Sequence, residues 1–367
     1  MSAARADVIR SHHALRGVAA VLVLLFHFRD VTLPIGEAID ARTAFFSTGF
    51  IWVDFFFMLS GFILLHVYGA GMAGGAKPGE PVVWHFYVAR LARIYPLHLA
   101  TLLAMIAVEL SAYGLRPEIA DAFANANKGW SSILQHLTLI HAWLTMNGLA
   151  WNVPSWSIST EAFAYLMFPL LVPFVVHRTW VPRVLLACVA TAIYAHTFAN
   201  FQDVQDQQPL ARCIAGFIAG MLLYWLWSQK RAWLSSTAAP AQIAAVIVGL
   251  AALHHGWSQA WVLLAFGVII LATADDQGPL ARMLASRPLL WMGTLSYSLY
   301  MTHWIFYRLY WMYGDQALSG LASLYSPVNV YVLKVSVLLA LTVAFSLLTY
   351  HWIEVPARRH LNRLLTR

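Results

Sequence analysis

The chain alternates long apolar blocks with short polar ones, and it nowhere sustains the two-residue alternation that marks a half-buried strand. A membrane-crossing helix needs about 20 predominantly apolar residues. On that measure the blocks predict ten helices, at residues 14–34, 45–68, 91–111, 156–177, 182–199, 209–228, 240–255, 258–274, 288–312 and 329–352. The seventh and eighth are short. Between the third and fourth lies a stretch containing a semi-apolar piece, ILQHLTLIHAWL. With two His, a Gln and about a dozen residues, it is expected to be re-entrant or interfacial and not a span. The first block, RGVAAVLVLLFH, follows Arg5, Arg10 and Arg16 as the core of a signal peptide would. It runs on into FRDVTLP with no small-x-small cleavage pattern, so it is expected to remain as the first helix. No internal repeat, low-complexity tract or soluble domain is visible. The expected fold class is all-α: a polytopic integral membrane protein of about ten transmembrane helices, with residues 1–367 as one transmembrane domain.

Composition agrees. Hydrophobic residues make up 60% of the chain and charged residues 11%, with a positive mean hydropathy, which excludes a soluble globule with a single core. Cys188 and Cys213 both lie inside apolar runs, so neither a disulfide framework nor a metal motif is expected. The net charge of +7 is spread over short loops and forms no basic stripe, which excludes nucleic acid as a partner and points to membrane orientation. Of the 23 Lys and Arg, sixteen fall on one side of a ten-helix arrangement, among them Arg10, Lys77, Arg178, Arg282, Arg358 and Arg367. Arg29, Arg42, Arg116 and Lys128 fall on the other side, and Arg212, Arg308 and Lys334 lie near outer helix ends. This asymmetry places both termini in the cytoplasm. Trp151, Trp156, Trp180 and Trp233 sit near helix ends as an interfacial belt would, and membrane lipids are the expected surroundings.

Several residues are costly in hydrocarbon and need a reason to be there. Arg16 and His27 are eleven positions apart, which places them on one helix face, separated by about 16 Å along the axis. Arg16 is then at the cytoplasmic mouth and His27 in the outer half. Asp54, in WVDFFFMLSGF, and Glu161, in WSISTEAFAY, fall in the outer halves of two other helices, so these three groups predict a shared polar cavity. Arg90 and Arg93 share a face at the start of the third helix, where they are either orientation anchors or a phosphate clamp. Ser296, Tyr297 and His303 give the ninth helix a polar face, and for Ser296 helix packing is the simpler account. Glu354 and Arg358 form an i, i+4 pair beyond the last helix.

Taken in order, RGVAAVLVLLFH, WVDFFFMLSGFIL, the RLAR of RLARIYP, WSISTEAFAY, GTLSYSLYMTHW and the closing EVPAR resemble the bacterial acyltransferase 3 family of integral membrane O-acyltransferases, from residue 16 to about 358. The resemblance implies an enzyme of the bacterial inner membrane that transfers an acyl group, commonly acetyl from acetyl-CoA, to a hydroxyl of a glycan, lipid-linked sugar or small molecule. No metal is implied. It implies Arg16 and His27 as the essential pair, Glu161 as an active-site acid with Asp54 beside it, and Arg90 and Arg93 at the acyl-CoA site, joined there by Ser296 and Tyr297. His303 follows in the same motif. The expected member is one without the fused extracytoplasmic esterase-like domain of larger relatives.

Acyl transfer needs a base, and His27 is the natural one; Asp54 or Glu161 would orient its ring. Direct transfer and a covalent acyl-histidine are both compatible with these residues. The aromatic MNGLAWNVPSW segment suits either sugar stacking or anchoring at the interface. The competing class is a proton-coupled transporter using His27, Asp54 and Glu161 as a relay. Such a protein would show inverted repeats or matched broken spans, and the sequence has neither.

Overall fold

The computed structural model describes residues 8–74, 80–115, 130–143, 150–199, 208–314 and 325–365. Among these, every regular element is helical. In chain order they are α1 (Arg10–Phe28), α2 (Leu33–Asp40), α3 (Trp52–Met72), α4 (Pro81–Leu115), α5 (Trp130–Leu137), α6 (Trp156–Val176), α7 (Val181–Ala199), α8 (Pro209–Ser236), α9 (Ala238–His255), α10 (Gln259–Thr273), α11 (Pro279–Leu284), α12 (Arg287–Leu309), α13 (Pro327–Thr349) and α14 (Val355–Leu365). Single π-helical turns extend α12 over Tyr310–Gly314 and join α13 to α14 over Tyr350–Glu354.

The all-helical expectation holds. Seven of the described helices are long and apolar enough to cross a membrane: α3, α4, α6, α7, α8, α9, and α13 continuing into α14. α10 is a shorter apolar helix. Exposed Leu185 and Val189 on α7, and Leu333, Val337 and Leu341 on α13, give these helices the apolar outer faces that lipid requires.

Some boundaries differ from expectation. α4 starts at Pro81, before the predicted position 91, because proline suits a first helical turn and the mixed residues VVWHFYVAR continue the helix below the apolar block. Arg90 and Arg93 therefore lie within α4 and not at its start. α1 stops at Phe28, and the chain makes a 3-10 turn (Arg29–Val31) before the unforeseen α2. Within ILQHLTLIHAWL the helix ends at Leu137, and Leu139 turns the chain with φ 59°. The imidazoles of His136 and His141 then stack with centroids 3.8 Å apart. Arg5, Lys77, Arg116, Lys128 and Arg367 of the orientation argument, and residues 146–149 of the outer aromatic segment, lie outside the described residues.

The chain divides into two compact units, one of Met1–Ala19, Phe50–Arg90 and Glu161–Thr294, the other of Ala20–Gly49, Leu91–Thr160 and Leu295–Arg367. In the first, α3 packs along α8, α8 along α7, and α9 along α10. The α3–α8 contact depends on small residues: a Cβ added to Gly61 would lie 2.1 Å from the Phe217 carbonyl oxygen, and one on Gly220 would lie 1.8 Å from that of Met58. In the same unit Gly17 meets Gly293 backbone to backbone, and Asp276 caps α1 by accepting the amides of Arg10 and Ser11. In the second unit, Leu102, Met105, Ala150, Trp151 and Ile305 form an apolar cluster. A buried ion pair of Arg308 and Glu109 and a Thr302–Ser346 hydrogen bond tie its helices together.

Candidate active site

His27 lies one residue before the end of α1, in the second unit. Its Nδ1 is 3.0 Å from the Val23 carbonyl oxygen and 3.2 Å from Nε2 of His303 on α12. Nδ1 of the buried His303 is 2.7 Å from the carbonyl oxygen of Tyr300. These partners dictate the protons. A carbonyl only accepts, so His303 Nδ1 carries hydrogen, and in the neutral ring its Nε2 is an acceptor. His27 Nδ1 faces two acceptors and therefore donates, which leaves the lone pair of His27 on Nε2. Among the described residues no hydrogen-bond partner occupies that nitrogen, and the His27 side chain is only half-buried. The rings of Trp304 and Tyr307 flank His27 at 5.2 and 6.5 Å, and Trp311 continues the row at 6.3 Å from Tyr307.

The described side-chain partner of His27 is His303; Asp54 and Glu161, the residues expected to orient its ring, are described within the first unit. Asp54, in the first unit, is committed elsewhere. Its carboxylate accepts from both Nε and Nη2 of Arg212 on α8, the former at 3.2 Å, and both side chains are fully buried. Arg212 also donates to the carbonyl of Phe50 at 3.3 Å. Glu161, at the first unit's end of α6, is half-buried, and its Oε1 accepts from Ser60 at 2.7 Å.

Arg16 is half-buried on α1, directly before the Gly17–Gly293 contact. In the first unit Arg90 approaches Tyr68, with Nη2 3.4 Å from the hydroxyl and the guanidinium carbon 5.6 Å from the ring centre; its Nε is buried without a hydrogen-bond partner. Arg93 is half-buried in the second unit. There the Tyr297 hydroxyl donates to the Ile94 carbonyl at 2.5 Å, tying α12 to α4 one residue past Arg93, and Ser296 is buried.

Sequence reading placed His303 on a polar face but did not pair it with His27. It also left Arg212 as an unassigned cation in a helix; a lone arginine in an apolar block was the available signal that Asp54 had a partner.

The acyltransferase domain family known as acyltransferase 3 matches residues 10–351. The chain is 28% identical over 388 aligned positions to the acyltransferase MdmB of Streptomyces mycarofaciens, covering 95% of this chain and 91% of that protein. It is 24% identical over 377 positions to the O-acetyltransferase OatA of Staphylococcus aureus, covering 94% of this chain and 56% of that longer protein. A third relative, protein 2 in the picA locus of Rhizobium radiobacter, is 33% identical over 155 residues, 40% of this chain and 73% of that protein. No solved structure matches. The chain belongs to the acyltransferase 3 family and is an acyltransferase built of membrane-type helices.

Proposed function

We propose that this protein is a membrane O-acyltransferase that moves an acyl group, acetyl in the first instance, from acyl-CoA to a hydroxyl of a glycan, lipid-linked sugar or other small acceptor, with His27 as general base. The observation that carries this reading is the hydrogen-bond chain from the Tyr300 carbonyl through His303 to His27, which leaves a basic nitrogen on a half-buried ring.

In the proposed reaction, Nε2 of His27 takes the proton of the acceptor hydroxyl as its oxygen attacks the thioester carbonyl. The positive charge on His27 is shared through Nδ1–H with the lone pair of His303. Collapse of the tetrahedral intermediate breaks the C–S bond, and the imidazolium returns the proton to the departing CoA thiolate. The products are the ester and free CoA, so protons balance without an outside donor. Arg90 and Arg93 bind the CoA phosphates. The unpartnered, buried Nε of Arg90 supports that role, since a phosphate oxygen would satisfy it. Arg16 lines the donor path on the helix that carries His27, Tyr297 steadies α4 beside Arg93 through its bond to the Ile94 carbonyl, and Ser296 joins it at the donor site. Glu161, held through one oxygen by Ser60, offers the other to the substrate. Asp54 acts by holding Arg212. The row of Trp304, Tyr307 and Trp311 supports an acceptor with a flat or sugar ring, because aromatic faces suit such rings.

The family match over residues 10–351 supports residues 1–367 acting as one transmembrane acyltransferase domain. We place it in the bacterial inner membrane with ten spans and both termini in the cytoplasm, where acyl-CoA is available. A proton relay of His27, Asp54 and Glu161, as a transporter would need, is disfavoured by the Asp54–Arg212 ion pair and by family membership.

The test is release of CoA from labelled acetyl-CoA by the purified protein in nanodiscs, with a mixed glycan and lipid acceptor pool. Wild type is expected to turn over, and His27→Gln to lose about 100-fold or more while still binding CoA. A folded wild type that neither binds nor consumes any acyl-CoA removes the donor assignment.

A further inference from the structure

The turn of α12 that precedes His303 is gripped from the side by the segment leading into α6. The buried Asn152 donates through Nδ2 to the Met301 carbonyl at 3.1 Å. The hydroxyls of Ser157 and Tyr300 lie 2.7 Å apart, and each is 3.0 Å from the Pro154 carbonyl oxygen. All three side chains are buried. These contacts bracket the carbonyl of Tyr300, with a grip on the Tyr300 ring and another on the next peptide carbonyl, and the Tyr300 carbonyl is the acceptor that places hydrogen on His303 Nδ1.

We infer that Asn152, Ser157 and Tyr300 are positioning residues that hold this α12 turn so that His303 keeps its proton on Nδ1 and presents a lone pair to His27. The inference rests on the reading of His27 as base. Its physical content is a competition between tautomers. Neutral imidazole carries its proton on either nitrogen, and the hydrogen bond made by one decides the state of the other. If the turn loosens, the Tyr300 carbonyl moves off Nδ1 and the Nε2-protonated form of His303 becomes accessible. That form sets two N–H groups against each other across the 3.2 Å gap to His27. His27 must then place its own proton on Nε2, the nitrogen needed as base.

The experiment is performed on the full chain in nanodiscs with 15N-labelled histidine, the His303 signals being identified by their loss in His303→Gln. In wild type, His303 is expected to be protonated on Nδ1 alone. In the Asn152→Ala and Tyr300→Phe double variant, the Nε2-protonated form is expected to appear. With labelled acetyl-CoA, kcat is expected to fall about tenfold while KM for acetyl-CoA stays within about twofold, as for loss of an interaction made at the reacting centre and not in donor binding. Should the double variant fail to fold, Ser157→Ala removes one hydroxyl and keeps the Tyr300–Pro154 bond, and it is expected to show the same tautomer change to a smaller extent. A His303 signal that stays wholly Nδ1-protonated in the folded variants overturns the inference. A fall in kcat matched by an equal rise in KM overturns it as well. The tautomer readout needs no turnover: wild type with the expected tautomers but no acyl-CoA consumption overturns the acyl-transfer reading and leaves the grip on His303 standing.

Discussion

The buried pair of Asp54 and Arg212 allows a decision between a catalytic and a packing role for the acid. Both side chains are at 0% exposure, and the guanidinium meets the carboxylate through two nitrogens. Removing one partner of such a pair leaves an uncompensated buried charge and costs about 3–5 kcal/mol, whereas replacing both by apolar residues of similar volume is often neutral or stabilising by about 1–4 kcal/mol. Asp54→Leu would leave Arg212 with the Phe50 carbonyl as its acceptor among the contacts described above. Arg212→Met would leave a carboxylate facing the apolar α3–α8 contact. Each single variant is therefore expected to shift the folding equilibrium by about two to four powers of ten, and the double variant to return close to wild type. The assay is unfolding in detergent for wild type, both single variants and the double variant, with acyl-CoA turnover measured on the folded fraction of each. Additive losses, with the double variant as unstable as the two singles combined, would refute the ion-pair account. A double variant of native stability that transfers no acyl group would return Asp54 or Arg212 to the catalytic machinery.

Other consequences are open to direct measurement. Arg90→Ala is expected to raise KM for acetyl-CoA by about tenfold with kcat nearly unchanged, as for loss of uniform binding to the donor; an unchanged KM would remove Arg90 from the donor site. Gly220→Ala places a methyl where the Met58 carbonyl stands, and the forced separation of α3 and α8 is expected to cost about 1–3 kcal/mol or more in unfolding experiments. A neutral Gly220→Ala would show that this contact is looser than described. His141 lies outside the spans, and its burial, with His136 and His98 nearby, holds its pKa well below the usual histidine value. The folded form is thus neutral, and its stability contribution is present above about pH 6.5 and lost as pH falls below it, where the unfolded chain takes up the proton. The melting temperature is expected to fall between about pH 6.5 and 5 in wild type and to fall less in His141→Phe, which keeps a ring on His136; equal slopes would contradict the argument.

Helix positions were legible in the apolar blocks because length and hydropathy are local properties, and each predicted block has a helix over it. Where the blocks misled, the reason was also local. The stretch from Pro81 to Arg90 carries His, Tyr and Arg among its apolar residues, so a measure built for hydrocarbon stopped short of a helix that continues beyond it. Pairing between helices was a different matter. Asp54 and Arg212 are separated by 158 positions, and His27 and His303 by 276. For each pair the residue types were visible while the partner was not, since a helix presents one residue in about four to a given neighbour. Rotating α12 by one residue turns His303 about 100° away from α1, and sliding it by one turn moves the ring about 5.4 Å, well beyond a hydrogen bond. Nothing local to the THW motif sets that rotation or height. The contacts around Tyr300 and Met301 supply both, through Asn152 in the aromatic MNGLAWNVPSW segment and Ser157 in the first turn of α6. Asn152 and Ser157 meet their partner helix in the one register that brings His303 to His27, and that requirement has no signature in hydropathy.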